Sequence, residues 1–271
     1  VIMLMPFVWM INTSLKPHGE VYEFPPRFLP GSFNFRNYVT AWIGADFSRY
    51  FLNTVIYTFG RTFFDILLGS MAGYAFAFFR FSGRKTIFII ILVTMMIPFQ
   101  AKLIPLFLLI RYFPLAGGNN ILGSGGTGLM NSWAGLIAPG VITGFSIFLF
   151  RQFFRTLPRS LMEVARIDGC SEFRIYWQIM FPLAKPAIVS LSILSFTQNW
   201  NALLWPLVAT NNPGMRTLQV GLAIFQGEQL TAVQYNELMA GAVIAIIPTV
   251  LIFLIGQKHF TRGISLTGLK Y

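Results

Sequence analysis

Few side chains in this 271-residue chain have the chemistry to do work, so their types and spacing are informative. There are nine acidic residues, two histidines (His18 and His259) and one cysteine, Cys170. One cysteine excludes an intramolecular disulfide, and two distant histidines argue against a metal site. There is no HExxH pattern and no pair of catalytic carboxylates. No histidine stands inside an apolar run to activate a nucleophile such as Ser146. Gly123, Gly125 and Gly128 meet the spacing G-x-G-x-x-G. In a dinucleotide site such glycines follow a strand and open a helix. Here they follow an apolar helix beside Asn119 and Asn120, and no Gly-Lys-Ser/Thr comes after them. A turn-rich loop is expected, with no nucleotide site.

What remains is a set of polar groups lodged in apolar runs, where such groups are costly and are functional candidates by default. Arg61 and Asp65 stand at i and i+4, spaced to form an intramembrane ion pair on one helix face. Gln100 and Lys102 lie between Pro98 and Pro105, where a helix is expected to kink. Gln198, Asn199, Trp200 and Asn201 form a polar cluster. They either line a path for a polar ligand or hydrogen-bond helix to helix.

The elements that must position these groups follow from composition. The chain is 55% apolar and 11% charged, with 29 phenylalanines and a mean hydropathy of +0.64. A soluble domain carries roughly 25% charged residues, so lipid must be part of the solvent. A spanning helix needs about 20 mostly apolar residues. Spans are read near 1–13 (expected to be the end of a truncated first span), 50–79, 86–112, 133–153, 186–208 and 238–257. They must be helices, because lipid offers no partner for backbone N–H and C=O groups. The runs are too long and too continuously apolar for a β-barrel. The fold class is therefore all-α and polytopic, as a single transmembrane domain over 1–271.

Arginine and lysine give the orientation. Twelve of the twenty basic residues fall on one side: Arg80, Arg84, Lys85, Arg151, Arg155, Arg159, Arg166, Arg174, Lys185, Lys258, Arg262 and Lys270. That side is expected to be cytoplasmic. The net charge of +11 is then membrane topology and not a nucleic-acid face. The opposite face is expected to carry a proline-braced extended segment over 14–49 and a flexible loop over 114–132.

The longest basic-side segment, about 157–182, holds two short amphipathic helices around a glycine turn. Ser160 and Glu163 fit a capping box. Leu161, Val164, Ala165 and Ile167 offer an apolar face. Gly169 suits the left-handed residue that ends the first helix, and Ser171 with Glu172 opens the second. Such a segment fits a groove on a partner protein or lies on the lipid interface.

Glu163-Val164-Ala165, three residues, Gly169, nine residues, then Ile179-Met180-Phe181-Pro182 resembles the EAA loop of ABC importer permeases. Val164 and Phe181 depart from the family pattern conservatively. Met95-Met96-Ile97-Pro98 with Gln100, Arg151-Gln152-Phe153-Phe154, Trp200-Asn201 with Leu204-Trp205-Pro206, and the tail Gly263–Lys270 resemble the carbohydrate-uptake branch. Lys102 stands where that family usually has an apolar residue. The resemblance implies a six-helix type I importer transmembrane domain in a prokaryotic cell membrane, with the loop and the C-terminus cytoplasmic. It implies three protein partners: a second permease subunit in a heterodimer, a cytoplasmic ABC ATPase dimer and an extracytoplasmic sugar-binding protein. It also implies no cofactor on this chain, with ATP and Mg used by the ATPase. Glu163, Ala165, Arg166, Asp168 and Gly169 would couple to the ATPase. Glu163 would meet a basic group, Ala165 would allow close approach and Gly169 would make the turn. Gln100, Gln198, Asn199, Trp200 and Asn201 would line the sugar path, the amides bonding hydroxyls and the indole stacking on a sugar face. The alternatives are an ion-coupled secondary transporter or channel and an intramembrane enzyme. The first expects intramembrane carboxylates, and Asp65 is the only acid within an expected span.

Overall fold

The computed structural model describes residues 2–44, 46–228 and 234–265, with side chains through Gly256 at the C-terminal end. Every regular element among them is helical. Two compact units form, each from separate stretches of chain: residues 1–57 with 200–252, and residues 58–199 with 253–271.

The helices are α1 (Met5–Ser14), α2 (Arg36–Gly44), α3 (Phe47–Phe78), α4 (Arg84–Met96), α5 (Phe99–Arg111), α6 (Trp133–Ile137) and α7 (Gly144–Phe154). After them come α8 (Ser160–Ile167), α9 (Glu172–Ile175), α10 (Phe181–Leu183), α11 (Lys185–Trp200), α12 (Leu204–Ala209), α13 (Leu218–Glu228) and α14 (Tyr235–Ser265). By length and apolarity α14 qualifies singly as a span, over Tyr235–Gly256. Three bent pairs raise the number to four. α3 is long enough at 32 residues, but Arg61 and Asp65 interrupt its apolar run.

The bends revise the expected continuous spans. The 86–112 run is two helices meeting at 105°. Ile97 stands before Pro98 and is pushed to an extended conformation (ψ 118°), so α4 cannot continue through it. The 133–153 run bends by 44° across residues 141–143. The 186–208 run stops at Trp200, and α12 forms a separate short helix after a three-residue break. The helical stretch Glu172–Leu183, which ends in α10, meets α11 at 73° around Ala184.

Side chains close the break before α7 and the C-terminal end of α3. At α7, Thr143 accepts from the Ser146 N–H at 3.1 Å, and Ser146 Oγ receives the Thr143 N–H in return. The C-terminal carbonyls of α3 are met by two arginines. Arg84 donates to Phe79 O and Ala77 O, and Arg151 donates to Phe76 O. The 114–132 segment is not the loose loop expected. Asn119 donates to Arg111 O and Phe113 O and accepts from Gly126 N–H, while Asn120 accepts from Leu122 and Ser124 N–H. Arg111 donates to Gly126 O. Gly123, Gly125 and Gly128 all have positive φ, as turn glycines do.

In the first unit, the 14–49 segment is partly helical where extended chain was expected. It is braced by amides more than by prolines. Buried Asn37 donates to Ser14 O and Lys16 O, and Asn236 donates to Asn37 Oδ1 at 2.9 Å. Asn53 on α3 ties down the 211–217 loop through Gly214 O and Arg216 O.

In the second unit, α3 and α7 approach through Gly69 and Gly73, one turn apart. A Cβ on Gly73 would stand 2.9 Å from the Arg151 backbone nitrogen and 2.5 Å from Phe150 Cβ. A Cβ on Gly69 would overlap Ser146. This is G-x-x-x-G packing, in which small residues let two backbones close without a hydrophobic driving force between them. Gly73→Leu should force the helices apart and cost roughly 1–3 kcal/mol. A thermal-shift measurement on the detergent-solubilised transporter should show this as a lowered melting temperature. Gly19→Ala, where a Cβ meets nothing within 4 Å, should leave it unchanged.

Candidate functional site

The segment between α7 and α11 packs inward on one side and faces outward on the other. Met162 and Ala165 of α8 are 3% and 6% exposed. They enter a core of Tyr74, Phe150, Phe154, Ile175, Tyr176, Met180 and Leu191, drawn from α3, α7, α11 and the loop itself. Ala165 therefore packs against this chain and is not free to approach a partner closely. The apolar face expected from the sequence is split. Ala165 turns inward, while Leu161, Val164 and Ile167 stay exposed at 39%, 56% and 84%. Glu163, Arg166 and Asp168 share the exposed side.

Local geometry explains the shape. α8 begins at Ser160, but Arg159 is its N-cap and no side-chain cap bond forms, so the Ser160–Glu163 capping box is absent. The other end is fully formed. Gly169 has φ +79°, its N–H donates to Arg166 O at 3.0 Å, and the Cys170 N–H donates to Ala165 O at 2.9 Å. These two bonds make a Schellman motif, which satisfies the helix's last carbonyls and needs a residue tolerant of the left-handed region. Half-buried Cys170 packs against the core. Ser171 then caps α9 by accepting from Arg174 N–H.

A π-helical turn, Tyr176–Met180, joins α9 to α10. Tyr176 and Ser70 of α3 share a hydrogen bond at 2.8 Å. Burial pushes the Tyr176 phenol above its ordinary pKa, and the Ser70 bond partly offsets this. Tyr74 of α3 donates to Glu172, which also accepts from Arg166 at 2.6 Å. That hydrogen bond raises the Arg166 pKa. The Arg166–Glu172 pair is about half exposed, so its own contribution to stability is small. Its consequence is positional, since α8, α9 and α3 meet at one carboxylate.

The intramembrane candidates divide. Arg61 and Asp65 do attract each other, but Asp65 also reaches across to α7. Its carboxylate accepts the Thr143 N–H at 2.8 Å and the Thr143 hydroxyl at 3.3 Å. An acid at a helix N-terminus meets the free N–H groups and the positive end of the helix dipole. The Arg61 guanidinium lies against Gly140, where any side chain would overlap it. Asp65 is thus a structural cap on a broken span.

Trp200 does not offer a stacking face to a ligand. It is 1% exposed, donates its indole N–H to Ala245 O at 2.8 Å and stands edge-on to Phe51. Ala245 lies in the turn of α14 before Pro248. Asn199 donates to Ser195 Oγ at 3.1 Å and faces Thr62 at 3.5 Å, which is helix-to-helix bonding. Gln100 and Gln198 are exposed, as is Lys102. Asn201 is exposed past the end of α11 and accepts from Gln219 at 3.3 Å. Glu163, Arg166 and Asp168 are exposed together, whereas Ala165 is buried.

Sequence reasoning missed Gly69 and Gly73, although the spacing was readable. It also missed Thr143 as the partner of Asp65, for which no local signal exists. The tail 266–271 and the side chains of Lys258 and Arg262 lie outside the described residues.

An all-α membrane protein with broken helices and one two-sided helical loop is the class this architecture defines. Residues 65–266 match the family model described as binding-protein-dependent transport system inner membrane component, and the chain belongs to that family. It is 33% identical to the arabinooligosaccharides transport system permease protein AraQ of Bacillus subtilis, over 98% of this chain and 90% of that one. It is 31% identical to the diacetylchitobiose uptake system permease protein NgcG of Streptomyces coelicolor, over 98% and 83%. It is 30% identical to the sn-glycerol-3-phosphate transport system permease protein UgpE of Yersinia pestis, over 95% and 89%. A chain of a bacterial ABC transporter that imports the acidic polysaccharide alginate superposes with a TM-score of 0.78 at 28% identity, covering 96% of this chain and 91% of that one. The fold is the type I importer transmembrane domain, and the protein is a permease subunit of an ABC importer.

Two outcomes test this site. Trp200→Phe keeps the ring and removes the bond to Ala245 O, so it should lower thermal stability by about 1–3 kcal/mol while leaving the apparent substrate affinity unchanged. Gly169→Ala meets no steric obstacle, yet it should cost about 1–2 kcal/mol through its left-handed backbone. Gly169→Asn, more tolerant of that region, should recover part of the loss in the same melting assay.

Proposed function

We propose that this permease translocates a sugar or sugar derivative handed over by a soluble binding protein, and that the 157–182 loop is the lever through which a cytoplasmic ATPase dimer drives it. The observation that carries the reading is the two-sided packing of α8. Met162 and Ala165 tie it to α3, α7 and α11, while Leu161, Val164 and Ile167 have no cover on the outward side. A groove closing on that stripe would push on the spans through side chains already in van der Waals contact. Relatives named for arabinooligosaccharide, diacetylchitobiose and glycerol-phosphate transport support a carbohydrate-like substrate.

In this reading Glu163 presents a carboxylate to a basic group of the ATPase, and Asp168 adds a charge at the rim. Arg166 acts within the chain by holding Glu172. Gly169 sets the direction of the second helix, and Ala165 anchors where contact with the partner was expected. A second permease subunit completes the translocation path. ATP and magnesium belong to the ATPase, and alternating access follows if ATP and the binding protein each favour the same one of two states. The basic residues at the loop ends of α3, α7 and α10 support a cytoplasmic position for this side. The 14–49 and 209–236 segments then face the binding protein, although residues 229–233 lie outside the described residues. Gln100 and Gln198 are the amides best placed to meet substrate hydroxyls. Lys102, exposed two residues after Gln100, would lie near the path or extend toward the membrane interface.

Ile167→Asp and Glu163→Lys both change exposed positions and should leave the protein in the membrane at wild-type level. Each should reduce binding-protein-stimulated ATP hydrolysis and uptake in the reconstituted transporter at least about tenfold. Wild-type stimulation in both variants would sink the lever reading.

A further inference from the structure

The turn between α3 and α4 joins two apolar helices, so it stands at the membrane surface. It carries an unusual density of cations. Arg80, Arg84 and Lys85 line a cavity of about 630 Å³ together with Arg151 from α7. Arg155 is close enough, with Arg84, to repel Arg151. Among the described residues, none of these five cations has a carboxylate partner. Bringing like charges together beside a low-dielectric bilayer is costly unless an anion joins them.

Two of the guanidiniums are held in place. Arg84 donates to Phe79 O at 2.8 Å and Ala77 O at 3.3 Å. Arg151 donates to Phe76 O and lies 3.9 Å over the Phe88 ring. Each guanidinium has five N–H donors, so both retain donors for a ligand. Arg80 and Lys85 are exposed and free to close over it.

The apolar part of the site follows the same order as a lipid. Lys85, Ile89 and Val93 recur at i, i+4 and i+8, so they form one stripe down α4. Ile89 lines the cavity, and Ile89 and Val93 are 58% and 53% exposed. A charged head at the surface and an acyl chain descending about 5 Å per helical turn along that stripe match its sequence of groups.

We propose that this cavity is a binding site for an anionic phospholipid, with the phosphate held by Arg80, Arg84, Lys85 and Arg151 and one acyl chain lying along Ile89 and Val93. The bound headgroup would tie the C-terminus of α3 to α4 and α7. The site is independent of the α8 surface and of the identity of the transported substrate.

The test uses the assembled transporter in detergent, with retained lipid counted by native mass spectrometry. The probes are dioleoyl phosphatidylglycerol, dioleoyl phosphatidylcholine and inorganic phosphate. Wild type should retain phosphatidylglycerol over phosphatidylcholine. Arg80→Gln with Lys85→Gln, which leaves the hydrogen-bonded arginines in place, should weaken that retention at least about tenfold. Arg36→Gln, an exposed cation elsewhere, should leave it unchanged, and a matching melting temperature for the double variant shows that its fold is intact. Equal retention of both lipids, loss of retention in Arg36→Gln, or no change in the double variant would overturn the proposal. Displacement of phosphatidylglycerol by millimolar inorganic phosphate would also overturn it, because the site would then bind a free anion.

Discussion

In lipid a helix cannot stop without finding partners for the backbone groups it releases, because no water is there to take them. This chain stops its apolar helices repeatedly, at Ile97, at residues 141–143, at Ala184 and after Trp200. Polar side chains serve the 141–143 stop and other helix ends and turns. Asp65 and Thr143 serve the start of α7, while Arg84 and Arg151 serve the end of α3. Trp200 serves a turn of α14 beside Pro248.

The α8 loop is held by its own bonds and packing. Its Schellman turn satisfies Ala165 O and Arg166 O at the end of α8, and Glu172 collects bonds from Tyr74 and Arg166. With Met162, Ala165, Tyr176 and Met180 buried among residues of α3, α7 and α11, the loop has little freedom to move without them. G-x-x-x-G contact between α3 and α7 sets the base on which this is built. In the proposed lever, such stiffness would pass a push on α8 to the spans.

Much of this was legible in the chain. The apolar runs, the glycine turn at Gly169 and the helix start at Ser171 came from patterns a few residues long, and the structure has them. The capping box at Ser160 did not form, although its residue types were right. The preceding Pro158-Arg159 already begins the turn, and Ser160 enters the helix instead of standing before it. The apolar face of α8 was read as a single surface. A hydrophobic pattern records that a residue avoids water and not which neighbour covers it.

Composition and periodicity by themselves determined that this chain is helical and lives in lipid. The spacing around Glu163 and Gly169 determined where its helix–turn–helix segment lies. These are properties of consecutive residues, whose backbone geometry is decided within a turn or two. Only the tertiary structure decided the fate of the buried polar groups. Asp65 meets Thr143 across 78 residues of chain, Trp200 meets Ala245 across 45, and Arg151 meets Phe76 across 75. A side chain's hydrogen-bond partner is set by proximity in space, and that proximity exists only once the helices have packed.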